Sequence, residues 1–155
     1  MSLARLRARV PSANSLGTYF LTEHALRFHK LGKDGSAKCD AFQTKNFNDV
    51  VFGVLFELEA NQKPALDFAE DLGRSYNEKP VIVKNDCGEE CHAFMYYATC
   101  IESNIKPYTW YLHHVVMGAK ENYLPEQYIK MLALTPATKD HDTIRAQQEL
   151  AIYSV

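Results

Sequence analysis

The sequence lacks several features that would assign it to a class at once. No run of about 18 apolar residues occurs, so no membrane-spanning helix is predicted. The net charge is only −2, which gives no support for a general role in binding nucleic acid or an anionic membrane. The first residues show no secretory pattern of basic head, apolar middle and small-residue cleavage site. These absences predict a cytoplasmic protein.

Cysteines are few, and their spacing is irregular. Four are present, and in a chain with no secretory pattern they are expected to be reduced thiols. Cys87, Cys91 and His92 lie close together, but the second ligand pair of a closed zinc site is missing. His113 and His114 are adjacent on a predicted helix, where their side chains point about 100° apart. A metal site at Cys87, Cys91 and His92 is therefore the weaker interpretation, and no metal or cofactor is predicted.

Acidic residues are absent before Glu23, although the same segment is rich in arginine. Its basic and apolar residues alternate: Leu3, Arg5, Leu6, Arg7, Arg9 and Val10. A transit peptide or a membrane-surface helix has this composition. The segment is short and ends at Pro11, and its apolar spacing is that of one face of a small surface helix. The second interpretation is favoured.

The remaining pattern predicts a single α+β domain over residues 1–155. Runs rich in aromatic and β-branched residues predict strands at residues 18–21, 25–29, 38–43, 49–58, 81–84 and 92–99. The Asp34-Gly35 pair predicts a hairpin turn between the second and third strands. Helical periodicity predicts helices over residues 107–120, from Pro125 onward and over 143–153, with Ile144 and Leu150 as anchors of the last. The C-terminal third is thus mainly helical, with a helical tail over residues 140–155.

A further helix is predicted over residues 61–72, and Glu70 lies in its last turn. Asn61 can cap it, and Pro64 suits its first turn. Asp67 shares the face of Glu70, Asp71 adjoins it, and the helix dipole is negative at this end. These surroundings disfavour the ionised carboxylate, which would make Glu70 an effective proton acceptor and donor near neutral pH. The alternative is an ordinary solvated helix face, and the local pattern leaves both open.

Several segments, in this order, resemble bacterial gamma-glutamylcyclotransferase-like (AIG2-like) proteins. They are residues 26–30 (LRFHK), 32–36 (GKDGS), 51–57 (VFGVLFE), 66–70 (LDFAE), 117–122 (MGAKEN) and 124–129 (LPEQYI). The resemblance implies a mixed β-barrel-like sheet with flanking helices. It also implies an enzyme that releases 5-oxoproline from a gamma-glutamyl amino acid or amine. In that reaction the substrate's own amine attacks its γ-carbonyl, so no metal or organic cofactor is implied.

The resemblance also implies which residues form the site. Glu70 ends the LDxxE motif and would be the catalytic acid/base, while Tyr76, Tyr96 and Tyr111 would bind substrate. Asp71 departs from the family, which usually has glycine after the glutamate, and it adds negative charge beside the base.

A second departure concerns the first residues of the chain. Residues 1–6 resemble the stretch that follows the family's first strand and substrate-binding Tyr-Gly-Ser-Asn loop. The expectation is therefore either an internal start within a longer protein or a shortened copy. The second case favours a catalytically degenerate, non-enzymatic binding domain of the same fold. An edge left by a missing strand would favour a homodimer.

Overall fold

A computed structural model describes residues 2–153, which form six strands and five α-helices. In chain order these are α1 (Leu3–Arg7), β1 (Asn14–Thr22), β2 (His24–Leu31), β3 (Ala37–Gln43), β4 (Val50–Glu57), α2 (Lys63–Ala69), β5 (Tyr76–Lys84), β6 (Glu90–Ala98), α3 (Thr109–Glu121), α4 (Glu126–Ala133) and α5 (Thr143–Leu150). Short 3-10 turns cover Ala60–Gln62 and Ala151–Tyr153. The predicted α+β class, with helices in the C-terminal third, is confirmed. Met1 and residues 154–155 of the predicted helical tail lie outside the described residues.

The strands form two antiparallel sheets. One has the order β4-β1-β5-β6 and the other pairs β2 with β3. β1 follows β4 from Asn14↔Glu57 to Thr22↔Val50, with one irregularity at Ser15/Gly17, where Gly17 has a φ of 109°. β1 and β5, by contrast, are joined by the single pair Phe20↔Lys84. The two middle strands of this sheet, β1 and β5, are therefore paired at one position, and β4 and β6 are the two edge strands.

The chain after β6 connects the two sheets. Leu31 donates its backbone N–H to the carbonyl of Cys100 at 2.9 Å, and Glu102 donates its N–H to the carbonyl of His29 at 2.8 Å. The side chain of Asp40 in β3 also accepts the backbone N–H of Ala98 in β6 at 2.9 Å. The small sheet is thereby held against the end of the large one.

Two apolar clusters hold the helices to the sheets. Leu6, Val10 and Ala13 pack with Leu66, which fastens α1 and the segment after it to α2. Ala119, Leu124, Tyr128 and Leu132 form the second cluster, with Phe52 of β4 packed against it. α4 thus buries the apolar face that its periodicity predicts, whereas α3 buries Leu112 and Ala119 of its predicted face together with Trp110 and His114 on another side.

The last helix is held differently from the expectation. Ile144 and Leu150, predicted as its anchors, are 67% and 38% exposed, so that prediction is wrong. Polar contacts fasten this segment instead: Arg145 pairs with Asp140, which also accepts the indole N–H of Trp110 at 2.8 Å. Hydrogen bonds and ion pairs, and not the apolar side chains of Ile144 and Leu150, therefore hold this segment to α3.

The helix that ends near Glu70 is shorter than predicted. Residues 60–62 form a 3-10 turn and α2 begins only at Lys63, with Gln62 as its N-cap residue. The predicted cap by Asn61 is therefore wrong, since Asn61 lies inside the preceding turn. Pro64 occupies the first turn as predicted, where its missing N–H costs no hydrogen bond. Glu70 is the C-cap residue, one position beyond the last helical residue.

None of the helices formed by residues 2–153 has the length and apolar character needed to cross a membrane.

Candidate active site

A cavity of about 920 Å³ lies between the large sheet and helices α1 to α4. Its walls are the edge strands β4 and β6, and Glu70 is one of the residues that line it. Most of the lining is apolar, with residues 51–56 along β4 and 91–96 along β6. Such a large, mostly apolar cavity with a few converging polar groups is typical of a small-molecule site.

Glu70 is held in this cavity by both its backbone and its side chain. Its N–H donates to the carbonyl of Leu66 at 2.9 Å, which closes the last turn of α2. Its Oε1 accepts a hydrogen bond from Nη1 of Arg9 at 2.9 Å, and its side chain is 17% exposed. The local sequence around Glu70 contains only negative neighbours on its face, and this arginine, 61 positions away, is not apparent from it.

Asp67, predicted to share a face with Glu70, is engaged elsewhere. It accepts hydrogen bonds from Lys63 and from the hydroxyl of Tyr96, the latter at 2.6 Å. Burial acts to raise the pKa of Asp67, but these two donors outweigh it and hold the pKa below its usual value. Asp67 is thus a structural carboxylate that fixes Tyr96 rather than a second member of a catalytic pair.

The three tyrosines implied by the resemblance all line the cavity together with Glu70. Tyr76 donates its hydroxyl to the carbonyl of Cys39 at 2.9 Å, and the hydroxyl of Tyr111 accepts the N–H of the same residue at 2.9 Å. Burial raises the pKa of both phenols far above the usual range, so both stay neutral. The hydroxyls of Tyr76 and Tyr96 are thus used as donors within the protein, whereas that of Tyr111 is used as an acceptor.

Asp71, the departure from the family pattern, has a left-handed backbone. Its φ is 56°, a conformation that glycine adopts without strain and that aspartate tolerates better than most residues. Its carboxylate accepts a hydrogen bond from the hydroxyl of Ser75 at 2.8 Å, and Nζ of Lys33 lies 3.5 Å away. The negative charge of Asp71 is therefore partly offset by the positive charge of Lys33.

The residues of the metal interpretation are not gathered into a cluster. Cys87 is exposed in the turn before β6, whereas Cys91 and His92 lie in β6 and line the cavity. Within residues 2–153, no three side chains of His, Cys, Asp or Glu come close enough to hold a metal ion. His114 is buried and contacts Glu149 and Tyr153.

Cys39 contacts two of the three candidate site tyrosines. Its backbone binds Tyr76 and Tyr111, and burial raises the pKa of its thiol to about 11. A thiol that stays protonated near neutral pH is a poor nucleophile. Cys39 therefore serves the site through its backbone.

Comparison with known proteins identifies the class. Residues 50–132, more than half of the chain, match the model of the AIG2-like family. The chain therefore belongs to the AIG2-like family, as the resemblance in its sequence predicted. None of the curated proteins matches the chain significantly.

Solved structures agree with this assignment. A protein described as gamma-glutamyl cyclotransferase superposes with a TM-score of 0.88 at 24% identity, covering 99% of this chain and 93% of that one. A human protein, described as uncharacterized protein loc79017, matches with a TM-score of 0.81 at 26% identity over 92% of this chain and 88% of its own. YkqA of Bacillus subtilis matches with a TM-score of 0.70 at 17% identity, over 87% of this chain and 49% of YkqA. The fold is that of the gamma-glutamyl cyclotransferases.

Proposed function

We propose that this protein is a gamma-glutamyl cyclotransferase that releases 5-oxoproline from a gamma-glutamyl amino acid or amine, with Glu70 as the acid/base. One observation carries the proposal. A carboxylate with one oxygen free of hydrogen bonds to residues 2–153 lines a large cavity in a chain of the AIG2-like family. Tyr76, Tyr96 and Tyr111 line the same cavity and are proposed to contact the substrate.

The proposed chemistry moves protons and needs no protein nucleophile. Oε2 of Glu70 takes a proton from the substrate's α-ammonium group, and the resulting amine attacks the γ-carbonyl carbon. A carbon–nitrogen bond forms to close the five-membered ring, and the bond from the same carbon to the leaving nitrogen breaks. Glu70 returns its proton to that leaving nitrogen, and the second proton lost by the ring nitrogen completes the leaving ammonium group.

The neutral tyrosines and the apolar strands suit this reaction. Ring closure within one molecule needs mainly the correct folding of the substrate, which the cavity walls would impose. Tyr96 is fixed by Asp67, and Tyr76 and Tyr111 are fixed by the backbone of Cys39. Rigid walls of this kind support a role in orienting the substrate's reacting ends.

The test is 5-oxoproline release from gamma-glutamyl dipeptides and gamma-glutamylamines by the wild type and by Glu70→Gln. Glutamine keeps the shape of the side chain but cannot take up the proton, so turnover is expected to fall by about 10²-fold or more. Glu126→Gln is the matched control, because Glu126 lies on the surface of α4 and, among residues 2–153, forms a salt bridge only with Lys130. Equal turnover by the wild type and Glu70→Gln contradicts the proposal.

The second candidate is a non-enzymatic binding domain of the same fold. It is favoured by the order of the strands in the large sheet. Among the described residues, the outer edges of β4 and β6 have no strand partner, and both strands line the same cavity. Unpaired strand edges can accept an added strand from another chain. Turnover that is abolished by Glu70→Gln decides against this candidate.

A further inference from the structure

Arg9 approaches the Glu70 carboxylate from outside the cavity. Its Nη1 donates to Oε1 of Glu70 at 2.9 Å, yet Arg9 is not among the residues that line the cavity, whereas Glu70 is. Its side chain is 30% exposed, so its other face meets solvent. The arginine therefore contacts the candidate base without reaching the space that a substrate would fill.

The two residues are brought together by apolar packing rather than by their charges alone. Arg9 immediately precedes Val10, which has no exposed surface. The backbone N–H of Arg9 donates to the carbonyl of Leu6 at 2.9 Å. Glu70 is tied in the same way to the carbonyl of Leu66. Leu6, Val10 and Leu66 belong to one buried cluster. The ion pair thus spans two segments that the core already holds in contact.

Neither Lys30 nor Lys33 forms a salt bridge with Glu70 among the described residues. Nζ of Lys30 lies 5.0 Å from the ring centre of Tyr76, and Lys33 pairs with Asp71. Burial lowers the pKa of Lys30, while Asp71 and Glu70 act to raise it. Among the described residues, Arg9 is the cation in salt-bridge contact with Glu70.

We propose that Arg9 is a positioning residue that fixes the Glu70 carboxylate through Oε1, so that Oε2 alone exchanges protons with the substrate. This inference rests on the proposed function. An unrestrained glutamate side chain samples several rotamers, and each rotamer directs its oxygens differently. A guanidinium group behind the carboxylate selects one of them, and it remains in place while Oε2 gains and loses its proton.

This role predicts a particular kinetic signature. Arg9 does not touch the substrate, so removing it should leave KM nearly unchanged and lower kcat. Misplacement of a catalytic group by about 1 Å can cost on the order of 10²-fold in rate. We expect kcat of Arg9→Met to fall about 10- to 100-fold, since methionine has similar length and apolar bulk but no charge and no N–H donor.

The experiment compares kcat and KM for 5-oxoproline release by the wild type, Arg9→Met, Arg9→Lys and Arg7→Met. Arg7 is the matched control because its Nε donates to the carbonyl of Ala13 at 2.9 Å and, among the described residues, it forms no hydrogen bond or salt bridge with Glu70. Arg9→Lys keeps a cation with N–H donors but loses the planar guanidinium group, so it should recover part of the lost kcat. In a Glu70→Gln background, Arg9→Met should cause no further loss, since the two residues act as one unit.

Each outcome has a distinct meaning. An active wild type with an unchanged kcat in Arg9→Met overturns the positioning role. A rise in KM alone also overturns it, because that result assigns Arg9 to substrate binding. A wild type that releases no 5-oxoproline contradicts the proposed function itself, and the role of Arg9 falls with it. Thermal melting of every variant separates these results from loss of folding, with Arg9→Lys as the milder second variant.

Discussion

Replacing Asp40 should test the connection between the two sheets. Asp40 lies in β3, and its side chain is almost fully buried. Its Oδ1 accepts the backbone N–H of Ala98 in β6 at 2.9 Å, and its Oδ2 lies 2.8 Å from Nε2 of His29 in β2. One carboxylate thus satisfies two buried donors on two different strands.

The expected loss follows from those two donors. Asp40→Ala leaves the N–H of Ala98 and the imidazole of His29 buried without a partner, and each such group costs about 1–3 kcal/mol. We therefore expect the free energy of unfolding to fall by about 2–6 kcal/mol. For a domain of this size that corresponds to a fall in Tm of about 4–24 °C. Asp40→Asn keeps the acceptor for Ala98 and should lose less.

The measurement is urea unfolding followed by circular dichroism, with Tm as a second readout. Asp86→Ala is the matched control, because Asp86 is an exposed aspartate in the turn between β5 and β6 and should change stability by no more than about 0.5 kcal/mol. An Asp40→Ala protein as stable as the Asp86→Ala control would refute the argument that Asp40 satisfies two buried donors and joins β3 to β6.

Two further predictions concern α3 and the turn after α2. Burial, with a contribution from Arg5, lowers the pKa of His114 to about 4 despite the opposing effect of Glu149, whereas an unfolded histidine titrates at about 6.5. The unfolded chain therefore binds the extra proton first, so stability is fully present above about pH 6.5 and is lost as the pH falls toward 4. The urea concentration at the unfolding midpoint should fall between pH 7 and pH 5 by less in His114→Gln than in the wild type. An equal fall in the two proteins contradicts the role given to His114. Asp71 has a φ of 56°, a backbone conformation in which alanine is strained and glycine is not. Asp71→Gly should therefore be more stable than Asp71→Ala by about 1 kcal/mol. A higher Tm for Asp71→Ala than for Asp71→Gly in thermal melting contradicts this prediction.

The local pattern of the sequence was sufficient to predict the positions of most helices and strands. Strand and helix periodicity depends on which neighbouring residues share a face, and that information is contained within each segment. The helices at α3 and α4 and the six strands were accordingly found near their predicted positions. Asn61 was misplaced because a 3-10 turn and a helix start have similar local signals, and the boundary between them depends on packing.

The candidate site also has one residue that the sequence could indicate and one that it could not. Glu70 could be selected from the sequence because its place at a helix end and its LDxxE motif are local, whereas its partner Arg9 could not. The contact between them exists because Leu6, Val10 and Leu66 bury one another across some 60 positions of chain. The contact of Asp40 with Ala98 likewise joins two segments that are 58 positions apart in the chain. The sequence by itself determined which segments are strands and helices and which acid ends the motif. Only the tertiary structure decided which charges meet, because apolar packing between distant segments sets those distances.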